Sequence, residues 1–416
     1  MNLNPQHFAL SDGRQVALFP DPNLQIVRID FSFAAGSAFQ PYYLVAGCAN
    51  QIFTEGSLHH SAAEIAEFID FRGISIKKGI DNVTASLTVY VLRKYASEFF
   101  PLLREMLVEP AFRQEEFDLY CAKRRQALLA GLQKTAFVAR NLFYESLFGP
   151  DHIYGGAASP ADVDRLRLED VRQFYASHYQ LGSASIIISG QYDDELLADF
   201  NAHFSVPDRK PAVSSLDLAS LVANAHPSPV LLHRAHVPSP QSTVRLGRLL
   251  PFAWDHPDYA RFLVLNTVLG GYFGSRLMTN IREDKGYTYG IYSQSQIFRH
   301  CIVFFITADV AVDHTQDAIN EIYKELDILR NELISPDELN RVRSYMKGDF
   351  LRSIDGIFER AERFKQMEAA GVNERFSSNL LQAIDEVSPE MLRSLAQQVF
   401  TNLVEVAVGG FPVPQE

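Results

Sequence analysis

The chain has 416 residues, of which 47% are hydrophobic and 21% are charged. This composition supplies apolar side chains for large buried cores and excludes an intrinsically disordered chain. The net charge of −12 argues against a nucleic-acid-binding protein, which needs a basic surface. We find neither a secretory signal nor an apolar run of about 18 residues, so we expect a cytoplasmic protein without a membrane-spanning helix.

Alternating apolar and polar residues predict the first strand at 26–37, IVRIDFSFAAGS. A helix is predicted near 61–71, and a second strand follows at 82–92. A long helix is predicted at 112–131. The apolar segment 183–192, SASIIISGQY, closes this half as a strand.

The second half of the chain repeats this order of elements. A strand is predicted at 242–252, a helix at 259–271 and a further strand at 301–310. A helix at 334–350 and a closing strand at 403–411 complete the series. The period of roughly 220 residues indicates a domain duplication and excludes a solenoid of short repeats.

Prolines concentrate between the two halves, and proline opposes regular secondary structure. We therefore predict an N-terminal α+β domain at 1–205, an interdomain linker at 206–240 and a C-terminal α+β domain at 241–416. The predicted fold class is α+β. Each domain is expected to form a mixed, mainly antiparallel sheet with helices packed on one face.

The most specific motif is the segment 270–293, GGYFGSRLMTNIREDKGYTYGIYS. With the duplication and the proline-rich linker, it resembles the pitrilysin/insulinase family of zinc peptidases. The chain is most similar to the half-length bacterial class and to the subunits of mitochondrial processing peptidase. The resemblance covers nearly the whole chain and implies that the chain forms one half of a clamshell.

Active members of this family carry the motif HxxEH, whose histidines bind Zn²⁺ and whose glutamate activates a water molecule. By the resemblance, these positions fall on Gly47, Asn50 and Gln51. A further glutamate ligand is expected near 125–129, where the chain reads RQALL. Glycine, asparagine and glutamine cannot replace the missing groups. The resemblance therefore implies a degenerate motif, no metal in this chain and zinc in a partner subunit.

The resemblance also implies a role for Arg282 and Tyr289, which have the spacing of an arginine and a tyrosine that reach the zinc site in active members. A tyrosine hydroxyl can donate a hydrogen bond to the oxyanion, and an arginine can hold the substrate carbonyl. Tyr287, which directly follows Gly286, is the alternative tyrosine. From the residues alone, the segment can equally be a charged helix end, a glycine turn and an edge strand of packing tyrosines.

Two functions remain open at this point. The first is a zinc-free subunit, inactive alone, that supplies Arg282 and Tyr289 to a zinc-bearing paralogue in a heterodimer and acts on peptides bound partly by strand addition. The second is a non-catalytic peptide-binding or scaffolding protein. If no zinc-bearing paralogue binds it, the chain is expected to form a homodimer.

Two histidine clusters are alternative metal sites. His59 and His60 lie near a helix start, and His60 has helical i,i+4 spacing to Glu64. His233 and His236 lie beside the linker. Both clusters are more typical of surface or loop histidines.

Overall fold

The structure is a computed structural model in which residues 5–206, 231–235, 239–299, 301–372 and 375–409 are described. Within these ranges the chain forms two mixed sheets flanked by helices, which confirms the predicted α+β class. The strands of the first sheet are β1 Gln6–Ala9, β2 Gln15–Pro20, β3 Ile26–Phe33, β4 Ser75–Ile80, β5 Ala85–Leu92 and β6 Ser185–Gly190. Those of the second are β7 Leu231–Ala235, β8 Gln241–Leu249, β9 Thr288–Phe298, β10 Cys301–Ala311 and β11 Val404–Gly409.

Helices connect the strands in both halves of the chain. In the first half they are α1 Val45–Ile52, α2 Ala62–Arg72, α3 Arg93–Val108, α4 Gln114–Leu132, α5 Thr135–Phe148, α6 Pro160–Arg165, α7 Leu168–His178 and α8 Asp194–Phe204. In the second half they are α9 Pro257–Asn266, α10 Thr315–Asn331, α11 Pro336–Arg352, α12 Ile357–Ala370, α13 Arg375–Glu386 and α14 Pro389–Val399. None of the described helices is both long enough and apolar enough to cross a membrane.

The chain separates into two compact units, each built around one sheet. The first unit contains the described residues of Met1–Leu128, Ala158–Leu216 and Ser353–Ala369. The second contains those of Leu129–Ala157, Asp217–Arg352 and Ala370–Glu416. The strand order is β1-β2-β6-β3-β5-β4 in the first sheet and β7-β11-β8-β10-β9 in the second. One pair in each sheet is parallel, β2 with β6 and β11 with β7, and the remaining pairs are antiparallel.

Each unit takes one helix from the other half of the sequence. In the second unit, Phe304 and its alternate neighbours in β10 face α9, α10 and α14, whereas Val303 and Phe305 face α5. Successive residues of a strand point to opposite faces, so helices lie on both faces of this sheet. In the first unit, Ala17 and Ile187 pack against α12 in the same way. The sequence patterns predict helices on one face of each sheet and do not predict these exchanged helices.

A buried ion network fixes α12 on the first sheet. Asp30 is fully buried and accepts hydrogen bonds from the Arg28 guanidinium at 2.7 and 2.9 Å and from Lys365 Nζ at 3.0 Å. Arg28 also contacts Glu362, which with Lys365 lies on α12. Buried charges need such partners, because an unpaired charge in the interior is strongly destabilising. The network therefore accounts for the seating of a partly polar helix on an apolar sheet.

Much of the predicted linker at 206–240 lies outside the described residues. Of its described part, Leu231–Ala235 forms β7, which pairs in parallel with β11 of the second sheet. This part of the predicted linker is therefore a strand of the second unit.

Candidate functional site

The three residues predicted to form the degenerate motif lie together on α1 in the first unit. This helix is nearly all buried and follows Leu44, which has a left-handed backbone with a φ of 78°. Gly47 is half-buried, Asn50 is 3% exposed and Gln51 is exposed. Gly47 and Gln51 therefore lie on the more exposed side of the helix, and Asn50 points into the core.

Asn50 faces Tyr179, which lies just beyond the end of α7. Burial raises the pKa of Tyr179, and the neighbouring Asn50 amide opposes that rise. A glutamate at this position would place a carboxylate in a buried site, where a charge requires a partner. The neutral amide of asparagine avoids that cost and is too weak a base to activate water.

Tyr120 lies over Gly47, the position predicted to correspond to the first histidine of HxxEH. Its hydroxyl is 3.4 Å from where a Cβ on Gly47 would lie, which is already in contact distance. Tyr120 belongs to α4, the helix that also carries the RQALL stretch at 125–129. Within that stretch Arg125 pairs with Asp164 and Leu128 is buried. The expected third ligand position therefore holds no metal donor.

A lysine occupies the carboxyl end of α1. Lys78 Nζ lies 2.5 Å from the Gln51 carbonyl oxygen and 2.8 Å from Glu55 Oε1. The ammonium group satisfies a helix-terminal carbonyl and complements the negative end of the helix dipole. A positive charge in this place also repels a metal cation bound nearby.

These residues do not fit zinc. A tetrahedral zinc site needs imidazole, thiolate or carboxylate donors, and Gly47, Asn50 and Gln51 provide none. Across the described ranges, no group of three or more His, Cys, Asp and Glu side chains is arranged to hold a metal ion.

The histidines of the first alternative metal site each contact a glutamate of α3 or its C-terminal end. His60 Nδ1 lies 2.9 Å from Glu105 Oε1, and His59 Nε2 lies 3.1 Å from Glu109 Oε2. Glu64 does not pair with His60; it takes part in the capping box at the start of α2. Both imidazoles are solvent-exposed, as expected for surface histidines.

Of the second histidine cluster, only His233 is among the described residues. His233 on β7 contacts the buried Glu405 of β11, with Nε2 2.8 Å from Oε1. The predicted partner of His233, His236, lies outside the described residues.

The 270–293 motif lies in the second unit and is folded in an uncommon way. One π-helical segment, Thr267–Gly271, overlaps its beginning, and a second, Met278–Asp284, lies at its middle. Such segments are rare and often occur at functional sites. An ion pair and an amide hydrogen bond hold the motif against neighbouring helices. The Arg276 guanidinium makes a bidentate ion pair with Glu338 at 2.8 Å. Asn280 Nδ2 donates a hydrogen bond to Glu325 Oε1 at 2.8 Å.

Two glycines allow this path of the chain. A Cβ on Gly270 would lie 2.6 Å from the backbone nitrogen of Ser293, so only glycine permits this close approach. Gly286 has a φ of 68°, which glycine adopts without strain, and it turns the chain from the second π-helical segment into β9. The turn separates Arg282 from Tyr289.

Arg282 lies in the second π-helical segment, where its guanidinium stacks on an exposed ring. Its Cζ atom is 4.6 Å from the centre of the Phe273 ring, and Phe273 is 60% exposed. Among the described residues no carboxylate pairs with Arg282. Its donors therefore remain available to a ligand. Phe273 is not among the site residues predicted from the sequence; the available signal was an aromatic residue between the motif glycines Gly271 and Gly274.

Tyr289 projects from a bulge at the beginning of β9. Between Thr288 and Ile291 this strand uses one more residue than β10 uses between Val310 and Ala308. A bulge re-aims side chains, and Tyr289 is 91% exposed. Its hydroxyl has no hydrogen-bond partner among the described residues.

Tyr287, the alternative tyrosine, has different surroundings. Its ring stacks on His314 at 4.5 Å and packs against the core of the second unit. This geometry is that of a packing residue and favours Tyr289 for contact with a ligand.

Part of the chain matches a known protein family. Residues 165–346 match the family model described as the peptidase M16 inactive domain. Over this segment the chain is homologous to the M16 peptidases. The resemblance to the pitrilysin/insulinase family is confirmed at this level.

Individual relatives of this M16 homologue match over most of their length. It is 20% identical to the uncharacterized zinc protease YmxG of Bacillus subtilis over 95% of this chain and 96% of that protein. It is 22% identical to the non-peptidase homolog YmxG of Helicobacter pylori over 81% and 77%. A crystal structure of a peptidase M16 inactive domain from Pseudomonas fluorescens superposes with a TM-score of 0.86 at 20% identity, covering 99% of this chain and 100% of that one.

Proposed function

We propose that this M16 homologue is the zinc-free subunit of a two-chain peptidase, to which it contributes Arg282 and Tyr289. The observation that carries the proposal is the 91% exposure of Tyr289, which a bulge turns outward and whose hydroxyl has no partner in the described part of the chain. A tyrosine ring on a strand is ordinarily at least half-buried, so this degree of exposure favours a binding role.

The chemistry of the two side chains fits peptide hydrolysis at a metal site supplied by another chain. The Tyr289 hydroxyl would donate a hydrogen bond to the oxyanion that forms when water attacks a peptide carbonyl. The Arg282 guanidinium would hold the substrate backbone in position. The base and the metal belong to a zinc-bearing paralogue in a heterodimer, because α1 supplies neither a base nor metal ligands.

The test is reconstitution with the zinc-bearing paralogue of the same host. We expect Tyr289→Phe to lower the kcat of the pair by about 100-fold or more, as removal of an oxyanion donor does. Arg282→Ala is expected to act mainly on KM. Tyr287→Phe is the matched control and should leave kcat within about twofold. Unchanged activity of both Tyr289→Phe and Arg282→Ala would contradict the proposal.

A second candidate is a non-catalytic peptide-binding or scaffolding protein. The name of the Helicobacter pylori relative, a non-peptidase homolog, favours it. Under this candidate the isolated chain, or a homodimer, binds peptides, and no zinc-bearing partner increases their cleavage.

A further inference from the structure

A second basic feature of the second unit lies apart from Arg282. This feature is a pocket of 420 Å³, here named the Arg245 pocket. Its charged and polar lining consists of Arg140, Thr243, Arg245, Tyr292, Thr307 and Asp309, and Ala136, Phe137, Gly290 and Ala308 complete it. It lies between the first turns of α5 and the sheet. Neither the degenerate motif on α1 nor Arg282 and Phe273 contribute to it.

Arg245 is held in place by aromatic rings. Its Cζ atom lies 4.4 Å from the centre of Phe305, and Phe143 and Tyr144 are 5.6 and 5.9 Å away. Its Nη1 atom is buried and has no hydrogen-bond partner among the described residues. A buried donor of this kind is costly unless a ligand or water satisfies it.

The charge of the pocket is not balanced. Arg140 projects into it from α5, and no carboxylate of the described residues forms an ion pair with Arg140 or Arg245. Burial lowers the pKa of Arg245. The charge of Tyr144 and a hydrogen bond between the two side chains oppose this shift, and the charge of Arg140 adds to it. Asp309 is the opposing acid in the pocket, and one of its oxygens accepts a hydrogen bond from Thr243 Oγ1 at 2.5 Å. Two arginines and one carboxylate leave a net charge of about one positive unit.

Polar groups surround this charge on the same face of the sheet. Tyr292, Thr307 and Arg245 are cross-strand neighbours in β9, β10 and β8, so their side chains share one face. The first turn of α5 adds the positive end of a helix dipole. β9 is the outermost strand of the sheet, where an extended peptide can add alongside.

We propose that the Arg245 pocket binds a carboxylate of an extended peptide. A single net positive charge matches a monoanionic carboxylate better than a phosphate dianion, and the planar guanidinium forks match carboxylate geometry. The inference rests on the proposed function in taking the ligand to be a peptide. It adds a preference for acidic peptides that Arg282 and Tyr289 do not predict.

Binding of labelled peptides to the full-length chain, measured by fluorescence anisotropy without a partner subunit, tests the proposal. Three peptides of the same neutral sequence are compared: one with a free C-terminal carboxylate, one with a C-terminal amide, and one amide that carries a single glutamate. We expect at least one carboxylate peptide to bind about tenfold more tightly than the neutral amide. Whether the free acid or the glutamate peptide binds better identifies the source of the carboxylate.

Variants assign the effect to the pocket. Arg245→Gln should abolish the preference, and the exposed Arg140→Gln should reduce it without disturbing the core. Asp309→Asn should strengthen it, because this change removes the opposing acid. Arg352→Gln, which removes an exposed arginine on α11, should have no effect.

Equal affinity for all three peptides, or no measurable binding of any, would overturn the proposal. A preference that survives both Arg245→Gln and Arg140→Gln would do so as well. Because this assay uses neither zinc nor a partner, such a failure leaves the reconstitution test of Tyr289 intact. The two proposals can therefore fail separately.

Discussion

The guanidinium carbon of Arg282 lies 4.6 Å from the centre of the Phe273 ring. A cation over the face of an aromatic ring gains about 0.5–1 kcal/mol at an exposed site. The contact therefore limits the directions that the arginine can take and prepares its donors for a ligand.

Removal of the Phe273 ring should weaken the contribution of Arg282. We expect Phe273→Leu to lower kcat/KM of the reconstituted pair by about two- to fivefold, in keeping with the strength of the stacking contact. Phe273→Tyr keeps the ring and should retain the full value. Steady-state kinetics on one peptide checks both variants; a Phe273→Leu value equal to that of the unaltered chain argues against the positioning role.

Restoration of the three motif residues should not restore a zinc site. The combined variant Gly47→His, Asn50→Glu and Gln51→His still lacks the third ligand and retains the Lys78 ammonium at the end of α1. We expect metal analysis to find far less than one zinc per chain. The buried carboxylate at position 50 should also lower the melting temperature. Asn50→Ala, which adds no charge, is the control, and stoichiometric zinc in the triple variant contradicts the account.

The ion network below α12 should be essential for stability. Asp30→Ala leaves Arg28 buried without its main partner, which typically costs about 3–5 kcal/mol in the free energy of unfolding. Asp349→Ala breaks an exposed ion pair with Arg352 and should cost less than about 1 kcal/mol. Urea denaturation of the variants gives both values, and similar losses for the two would exclude a special role for the buried network.

Acidification should weaken the same network. Partial burial raises the pKa of Glu362, but hydrogen bonds from Lys365 and Arg28 outweigh that effect, and the pKa lies below its ordinary value of 4.5. A carboxyl whose pKa is lowered by folding stabilises the folded state above its unfolded pKa. That contribution is lost as the pH falls through the folded pKa.

The free energy of unfolding should therefore decrease below about pH 4.5, and Glu362→Gln should flatten this dependence. Glu359→Gln, an exposed position on the same helix, is the control. Denaturation curves at several acidic pH values measure the slopes; identical slopes for the two variants would rule out Glu362 as a contributor.

Local patterns predicted much of the fold. The segment 26–37 was expected to be a strand, and β3 ends earlier, at Phe33. Beyond it, Gly36 passes so close to Val83 that a Cβ would lie 2.3 Å from the Val83 backbone nitrogen. The helix expected at 334–350 is α11, displaced by two residues. The exchange of α5 and α12 could not be predicted, because an amphipathic helix pattern does not specify which sheet the helix covers.

The candidate site was predictable only in part. The family resemblance singled out Arg282 and Tyr289, but the sequence could not exclude Tyr287 as the alternative tyrosine. The difference arises from a bulge in β9 and from the stacking of Tyr287 on His314, which depend on pairing with β10 and on a residue distant in sequence. Lys78 and Tyr120 were missed for the same reason, since only the tertiary fold brings them to α1.

The most direct measurement is purification of the tagged chain from its native host, with the bound protein sequenced and the zinc in the complex counted. The account predicts a partner of similar size that carries HxxEH, with about one zinc per pair. A chain that purifies alone or paired with itself, without zinc and without peptidase activity, would contradict the central claim. Arg282 and Tyr289 would then be binding or structural residues of a non-catalytic protein.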